Sequence, residues 1–133
     1  MALSPTQRTL KFIRDAGYMA GIVERWLPNP AYPGGGKRKD YLNIIDIIAL
    51  KGNITLGVQS TGQDVSGHIK KILNEHPESA LEWLSGRDRQ LFIVGWRKVL
   101  KKRGGKARVW KPRIVKFFVE GKELRCVELE SKK

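Results

Sequence analysis

Cysteine occurs once in this chain, as Cys126. A single thiol closes no internal disulfide and has no second sulfur with which to build a zinc site, so a disulfide scaffold is excluded and a reducing cytoplasm fits. Histidine is nearly as scarce. His68 and His76 stand in no metal-ligand pairing with a carboxylate, and no serine or cysteine sits in a nucleophile motif. Long apolar runs are missing too: no stretch approaches the roughly 18 consecutive apolar residues of a membrane span, and MALSPTQRTLKF has no uninterrupted apolar segment of the signal-peptide kind. A soluble, cytoplasmic chain is expected. The triple glycine at 34–36 is followed by no Gly-Lys-Ser/Thr in register, which excludes a P-loop. Acid is the last shortage. Asp and Glu number 13 against 26 Lys and Arg, a formal charge of +13 that makes copies of the chain repel one another unless a polyanion neutralises it. Nucleic acid is the expected partner, since no amphipathic basic helix with an aromatic face points to a membrane instead.

What is present suffices for one ordinary core: 133 residues, 41% of them hydrophobic, predict a single domain over 1–133. Ser4-Pro5 reads as an N-cap with proline at the first helical position, and Leu10, Ile13 and Gly17 outline a helix over 5–16. Residues 18–26 read as a strand with Ala20, Ile22, Glu24 and Trp26 on one face. The Pro- and Gly-rich, basic run 29–40 predicts a flexible surface loop. YLNIIDIIAL and NITLGVQST, parted by Lys51-Gly52-Asn53, predict a hairpin whose paired positions sum to about 105, which sets Asp46 opposite Gln59. Helical spacing follows over 65–73 and 77–84, then a strand over 89–98 and a basic loop over 99–108. Two last runs predict a hairpin about Gly121, with Pro112 marking an edge or a bulge. The expected class is α/β: a central mixed sheet flanked by helices, in the order α-β-β-β-α-β, with an extra C-terminal hairpin.

Asp46 is the residue that calls for chemistry, because an ionised carboxylate inside the run IIDIIAL is costly unless it is paired, hydrogen-bonded or bound to metal. Glu24 is a second carboxylate in a strand-like run, and Gln59 supplies a neutral oxygen across the hairpin. Carboxylates, neutral oxygens and water are what Mg²⁺ or Mn²⁺ accepts, and such an ion can polarise a phosphate and acidify an attacking water. Asp40 and Asp64 lie near the hairpin as further ligands or as turn formers and caps.

The run from Leu42 to Thr61 resembles the core of the PD-(D/E)XK nuclease superfamily, particularly its small Holliday-junction-resolvase-like and phage-encoded members. The resemblance extends through the order of elements over residues 5–95. It implies a restriction-endonuclease-like core and a metal-dependent DNA endonuclease acting on branched or structured DNA, with two active sites paired in a homodimer. Asp46 matches the family aspartate, and Glu24 takes the place of the upstream glutamate. Gln59-Ser60-Thr61 falls where the (D/E)-x-K tripeptide stands. Gln59 thus replaces a carboxylate and Thr61 replaces the lysine, so Lys70 or Lys71 on the next helix is needed to supply the cation, Lys71 being preferred. The expected metal shell is Glu24, Asp46 and Gln59, and the expected catalytic set adds Thr61 and Lys71.

Independently of the family, Lys98, Lys101, Lys102, Arg103, Lys106 and Arg108 crowd a short stretch with Trp96 and Trp110 nearby, a composition suited to phosphates and unpaired bases. Two further expectations compete with cleavage: a non-catalytic DNA-binding module on a degenerate nuclease fold, and an RNA- or ribosome-associated basic protein.

Overall fold

A computed structural model describes residues 3–129. Helix α1 (Pro5–Asp15) starts as its sequence dictates: the Ser4 side chain accepts from the Gln7 backbone N–H at 3.2 Å, the Gln7 side chain returns to the Ser4 N–H, and Pro5 occupies the first turn. Thr9 and Ile13 form its buried face.

The expected strand over 18–26 is two strands in two sheets. β1 (Met19–Ile22) pairs antiparallel with β4 (Ile47–Lys51), and the bond from Val23 N–H to Asp46 O at 2.8 Å is its last rung. The chain then leaves the sheet at Glu24, and β2 (Arg25–Pro28) pairs instead with β3 (Gly36–Lys39) in a separate two-stranded ribbon. Glu24 and Trp26 therefore do not share a sheet face with Ala20 and Ile22. The run 29–40, expected as a loop, carries structure of its own. Its first part is a compact turn in which the Asn29 side chain accepts from Ala31 N–H and Asn29 N–H donates to Gly35 O, and its second part is β3. Proline and glycine here build the turn and do not loosen it.

β4 and β5 (Ile54–Thr61) form the expected hairpin, with Ile47 opposite Val58 and Lys51 opposite Ile54 around Gly52-Asn53. Gly52 takes φ 59°, the left-handed value that a two-residue turn asks of its first residue. The register places Asp46 across from Gln59. Helix α2 (Val65–Lys70) is capped by Asp64 onto Gly67 N–H at 3.1 Å, then widens into a π turn at 71–75 before α3 (Pro77–Leu84). The helix expected over 65–73 is thus shorter and changes pitch at Lys71.

β6 (Arg89–Leu100) returns parallel to β5, and β7 (Arg108–Glu120) and β8 (Glu123–Leu129) continue antiparallel in the sheet order β1-β4-β5-β6-β7-β8. The class is a mixed α/β fold, one mixed sheet with three α-helices among the described residues. Alternation sends Ile47, Ala49, Leu56 and Val58 to the side of α1, and sets Ile93, Val115 and Phe117 against α2 and α3. Trp83 lies fully packed over β5, its indole donating to Gln90 O at 2.8 Å, and its burial contributes about 2–3 kcal/mol.

The strands of the sheet end unevenly. β5 stops at Thr61, opposite Gly95, but β6 and β7 pair onward from Trp96–Pro112 to Leu100–Arg108. They form a projecting ribbon. The basic loop expected over 99–108 shrinks to a tip, since Leu100 and Arg108 are already paired. Pro112 lies two positions beyond Ile114, the last residue of β7 paired with β8 among the described residues. None of the described helices is long and apolar enough to cross a membrane.

Candidate metal centre

The hairpin register fixes Asp46 first. Its N–H donates to Val58 O and its carboxylate accepts from Ser60 N–H, both at 2.8 Å, so the side chain is held against β5 with 4% of its surface exposed. Ile44, Ile45 and Ile47 around it have no exposed surface.

Asp40 arrives by a backbone device. Leu42 and Asn43 both adopt left-handed conformations, φ 55° and 66°, inside a tight turn closed by Tyr41 and Ile45, which are joined by a 2.8 Å bond. Two consecutive non-glycine residues there are strained, a cost of order 1–3 kcal/mol each, and the reversal they enforce returns Asp40 to the side of Asp46. Glu24 enters from the link between β1 and β2. One oxygen from each of Glu24, Asp40 and Asp46 lies within 4.8 Å of the others.

Gln59 sits across from Asp46, 2% exposed. Its amide nitrogen faces the carboxylates, 2.8 Å from Asp40 Oδ2 and 3.4 Å from both Asp46 oxygens. As oriented it is a donor, and the third carboxylate position belongs to Asp40. Its Oε1 is buried without a hydrogen-bond partner. A half-turn of the amide would exchange the two atoms and present the oxygen to a cation.

Lys71 completes the group. The π turn at 71–75 begins at this residue and aims its ammonium at Asp40 Oδ2, 3.2 Å away, whereas Lys70 is exposed. Thr61 is buried at the end of β5 beside Gly95 and carries no charge. Asp64 serves as the α2 cap. Burial pushes the Asp46 carboxyl up to about 8, helped by hydrogen bonding to Asp40 and by the charges of Asp40 and Glu24, and opposed by Ser60 N–H. Burial also acts to raise Asp40, but hydrogen bonds from Asp46 and Gln59 and the nearby Lys71 outweigh it and leave Asp40 below the ordinary carboxylate range. The two carboxyls are thus driven in opposite directions, Asp46 upward and Asp40 downward, as a coupled pair. Burial, with the charge of Lys71, depresses His68 and keeps it neutral.

The three carboxylates converge on one point, and the donor set is oxygen only. That fits a hard divalent cation such as Mg²⁺ or Mn²⁺, held by Glu24, Asp40 and Asp46 with water in the remaining positions.

The basic residues singled out in the sequence all belong to the projecting β6–β7 ribbon. Lys98, Lys101, Lys102, Arg103, Lys106 and Arg108 are exposed. Trp110, 40% exposed, lies between the Arg8 guanidinium at 4.4 Å and the Lys98 ammonium at 5.2 Å, while Trp83 and Trp96 are core residues. Because Gln59 pairs with Ile93 and Thr61 with Gly95, this ribbon rises from the same sheet end that holds the carboxylates. No family model, curated protein or solved structure matches the chain.

Proposed function

We propose that this chain is a metal-dependent DNA endonuclease of the PD-(D/E)XK type that acts on branched or structured DNA. The observation that carries the reading is the convergence of Glu24, Asp40, Asp46 and Lys71 at the sheet end from which a strongly basic ribbon projects. The element order supports it: α1, three antiparallel strands β1-β4-β5, a helical crossover and a parallel β6 follow the order of that family's core, with β2–β3 inserted.

The three carboxylates would hold the cation, which when bound would supply a polarised phosphate and a more acidic water. Ser60 N–H restrains the rotation of the Asp46 carboxylate. Lys71 brings from the helix the positive charge that Thr61 does not, close enough to act on charge developing at a phosphate. The ribbon lysines and arginines hold the flanking phosphates without reading sequence. A homodimer and a cytoplasmic setting accompany this reading through the family resemblance.

A second reading is favoured by one observation, the Gln59 amide donating to the carboxylates, which allows the cluster to satisfy itself without metal. The chain is then a DNA-binding module without cleavage. Incubating four-way junction, flap and linear duplex with Mg²⁺, Mn²⁺ or EDTA separates the two. Cleavage of the branched substrates with metal, lost in Asp46→Asn and Asp40→Asn while DNA binding persists, is the expected result. Binding without cleavage under every condition would leave the module.

A further inference from the structure

The ribbon β2–β3 has no part in the basic segment recognised from sequence, yet its composition and position are pointed. From Arg25 to Lys39 it carries Arg25, Lys37, Arg38 and Lys39 and no carboxylate. Arg25 stands directly opposite Lys39, a like-charge pair that disfavours the ribbon unless an anion lies across it. The residues next outward from that closing pair are Glu24 and Asp40, two of the three carboxylates. The ribbon is therefore mounted on the metal centre itself.

Its inner edge forms a cleft of about 240 Å³ lined by Lys37, Lys39, Asp40, Asn43, Lys71 and His76. Three lysines line it beside one carboxylate, whose Oδ2 is 3.2 Å from the Lys71 ammonium, so the hollow is net positive, carries the Asn43 amide and is large enough for a phosphodiester group. Further out, Tyr32 lies under the Lys37 ammonium at 5.2 Å, and Trp26 is 52% exposed. Aromatic surface interleaved with cations on an extended ribbon suits a nucleic-acid backbone better than an acidic protein surface.

Topology places this ribbon opposite the other. β2–β3 leaves the sheet from β1, on one side of the β4–β5 pair that holds Asp46 and Gln59, and the β6–β7 ribbon leaves from the other side at the same end. The carboxylates lie between two cationic arms.

We propose that β2–β3 is a second nucleic-acid-binding arm, and that the cleft of Lys37, Lys39, Lys71 and His76 at its base seats a DNA backbone phosphate neighbouring the one presented to Glu24, Asp40 and Asp46. The reference to DNA rests on the nuclease reading; the phosphate site rests on the cleft. Lys71 serves both, since its ammonium lines the cleft and touches Asp40.

The test measures binding of a fluorescent four-way junction in EDTA across a salt series, which requires no catalysis. The double variant Lys37→Ala, Lys39→Ala is compared with the triple variant Lys101→Ala, Lys102→Ala, Arg103→Ala and with wild type. If the phosphate contact at the cleft is lost, the double variant binds roughly tenfold more weakly, and its slope of log affinity against log salt flattens by about 1. Lys37→Glu, Lys39→Glu weakens binding further, and an unchanged thermal midpoint excludes misfolding as the reason. Affinity and slope unchanged in both Lys37/Lys39 variants, with the triple variant weakened, overturn the arm while sparing the DNA reading. All variants binding like wild type would sink the DNA reading instead. Polyglutamate bound as tightly as the junction, through the same lysines, also overturns a phosphate site.

Discussion

Asp46 is a buried carboxyl carried at a cost to stability. Its pKa of about 8 in the folded chain lies above the ordinary carboxylate value of 3.8, so the folded state binds a proton that the unfolded chain has released over the interval between them. Stability without metal therefore falls as pH rises from about 4 to about 8 and levels off above. Asp46→Asn removes the titration, keeps an acceptor for Ser60 N–H and gains a donor toward Asp40. In EDTA its thermal midpoint should exceed that of wild type, little at pH 5 and by about 1–3 kcal/mol of stability at pH 8, part of the effect being offset by the depressed Asp40. A midpoint no higher than wild type at pH 8 would mean that Asp46 is well solvated. At this scale Asp46 and Gln59 were legible, because a two-residue turn lets opposite residues be counted along the hairpin. Asp40 was legible only as one of two loop aspartates, since its return depends on left-handed Leu42 as well as Asn43, and leucine, unlike asparagine, does not announce that conformation. The available signal was its place between the basic run Lys37-Arg38-Lys39 and the apolar strand.

Elements show the same division between local and tertiary causes. α1, α3 and the 52–53 and 121–122 turns follow from caps, proline and glycine and were readable. The β2–β3 ribbon was not, because its strands are short, polar and joined by a Pro/Gly turn, and only mutual pairing makes them strands. The pitch change at Lys71 likewise has no sequence mark, yet it orients the lysine. The seating of α3 depends on Gly57 in β5, where an added Cβ would stand 2.8 Å from Ile45 Cδ1 and 2.9 Å from the Trp83 ring. Gly57→Ala should cost about 1–3 kcal/mol in chemical denaturation, with indole fluorescence reporting a displaced Trp83. Wild-type stability in that variant would show that the indole has room to shift.

At the scale of the molecule, the charge of +13 was plain from composition, but its division into two ribbons around one acidic centre was not. If the three carboxylates bind a cation as proposed, the raised Asp46 makes that binding pH-dependent. A cation would compete with the Asp46 proton, so Mn²⁺ affinity should rise about tenfold per unit up to near pH 8 and then flatten. Calorimetry in buffers of different ionisation enthalpy should find about one proton released per ion at pH 7, and none in Asp46→Asn. Affinity flat from pH 6 to 8 would place the ion elsewhere. The closing pair of the β2–β3 ribbon has one more consequence. Because Arg25 and Lys39 meet where Glu24 and Asp40 begin, everything beyond that pair can be lengthened, trimmed or exchanged while the carboxylates stay where they are. If the chain binds DNA as proposed, its preference for one DNA shape over another would drift by insertion and deletion at residues 29–35 without disturbing the carboxylates, and a graft of a different hairpin at this joint would be a route to redirecting it.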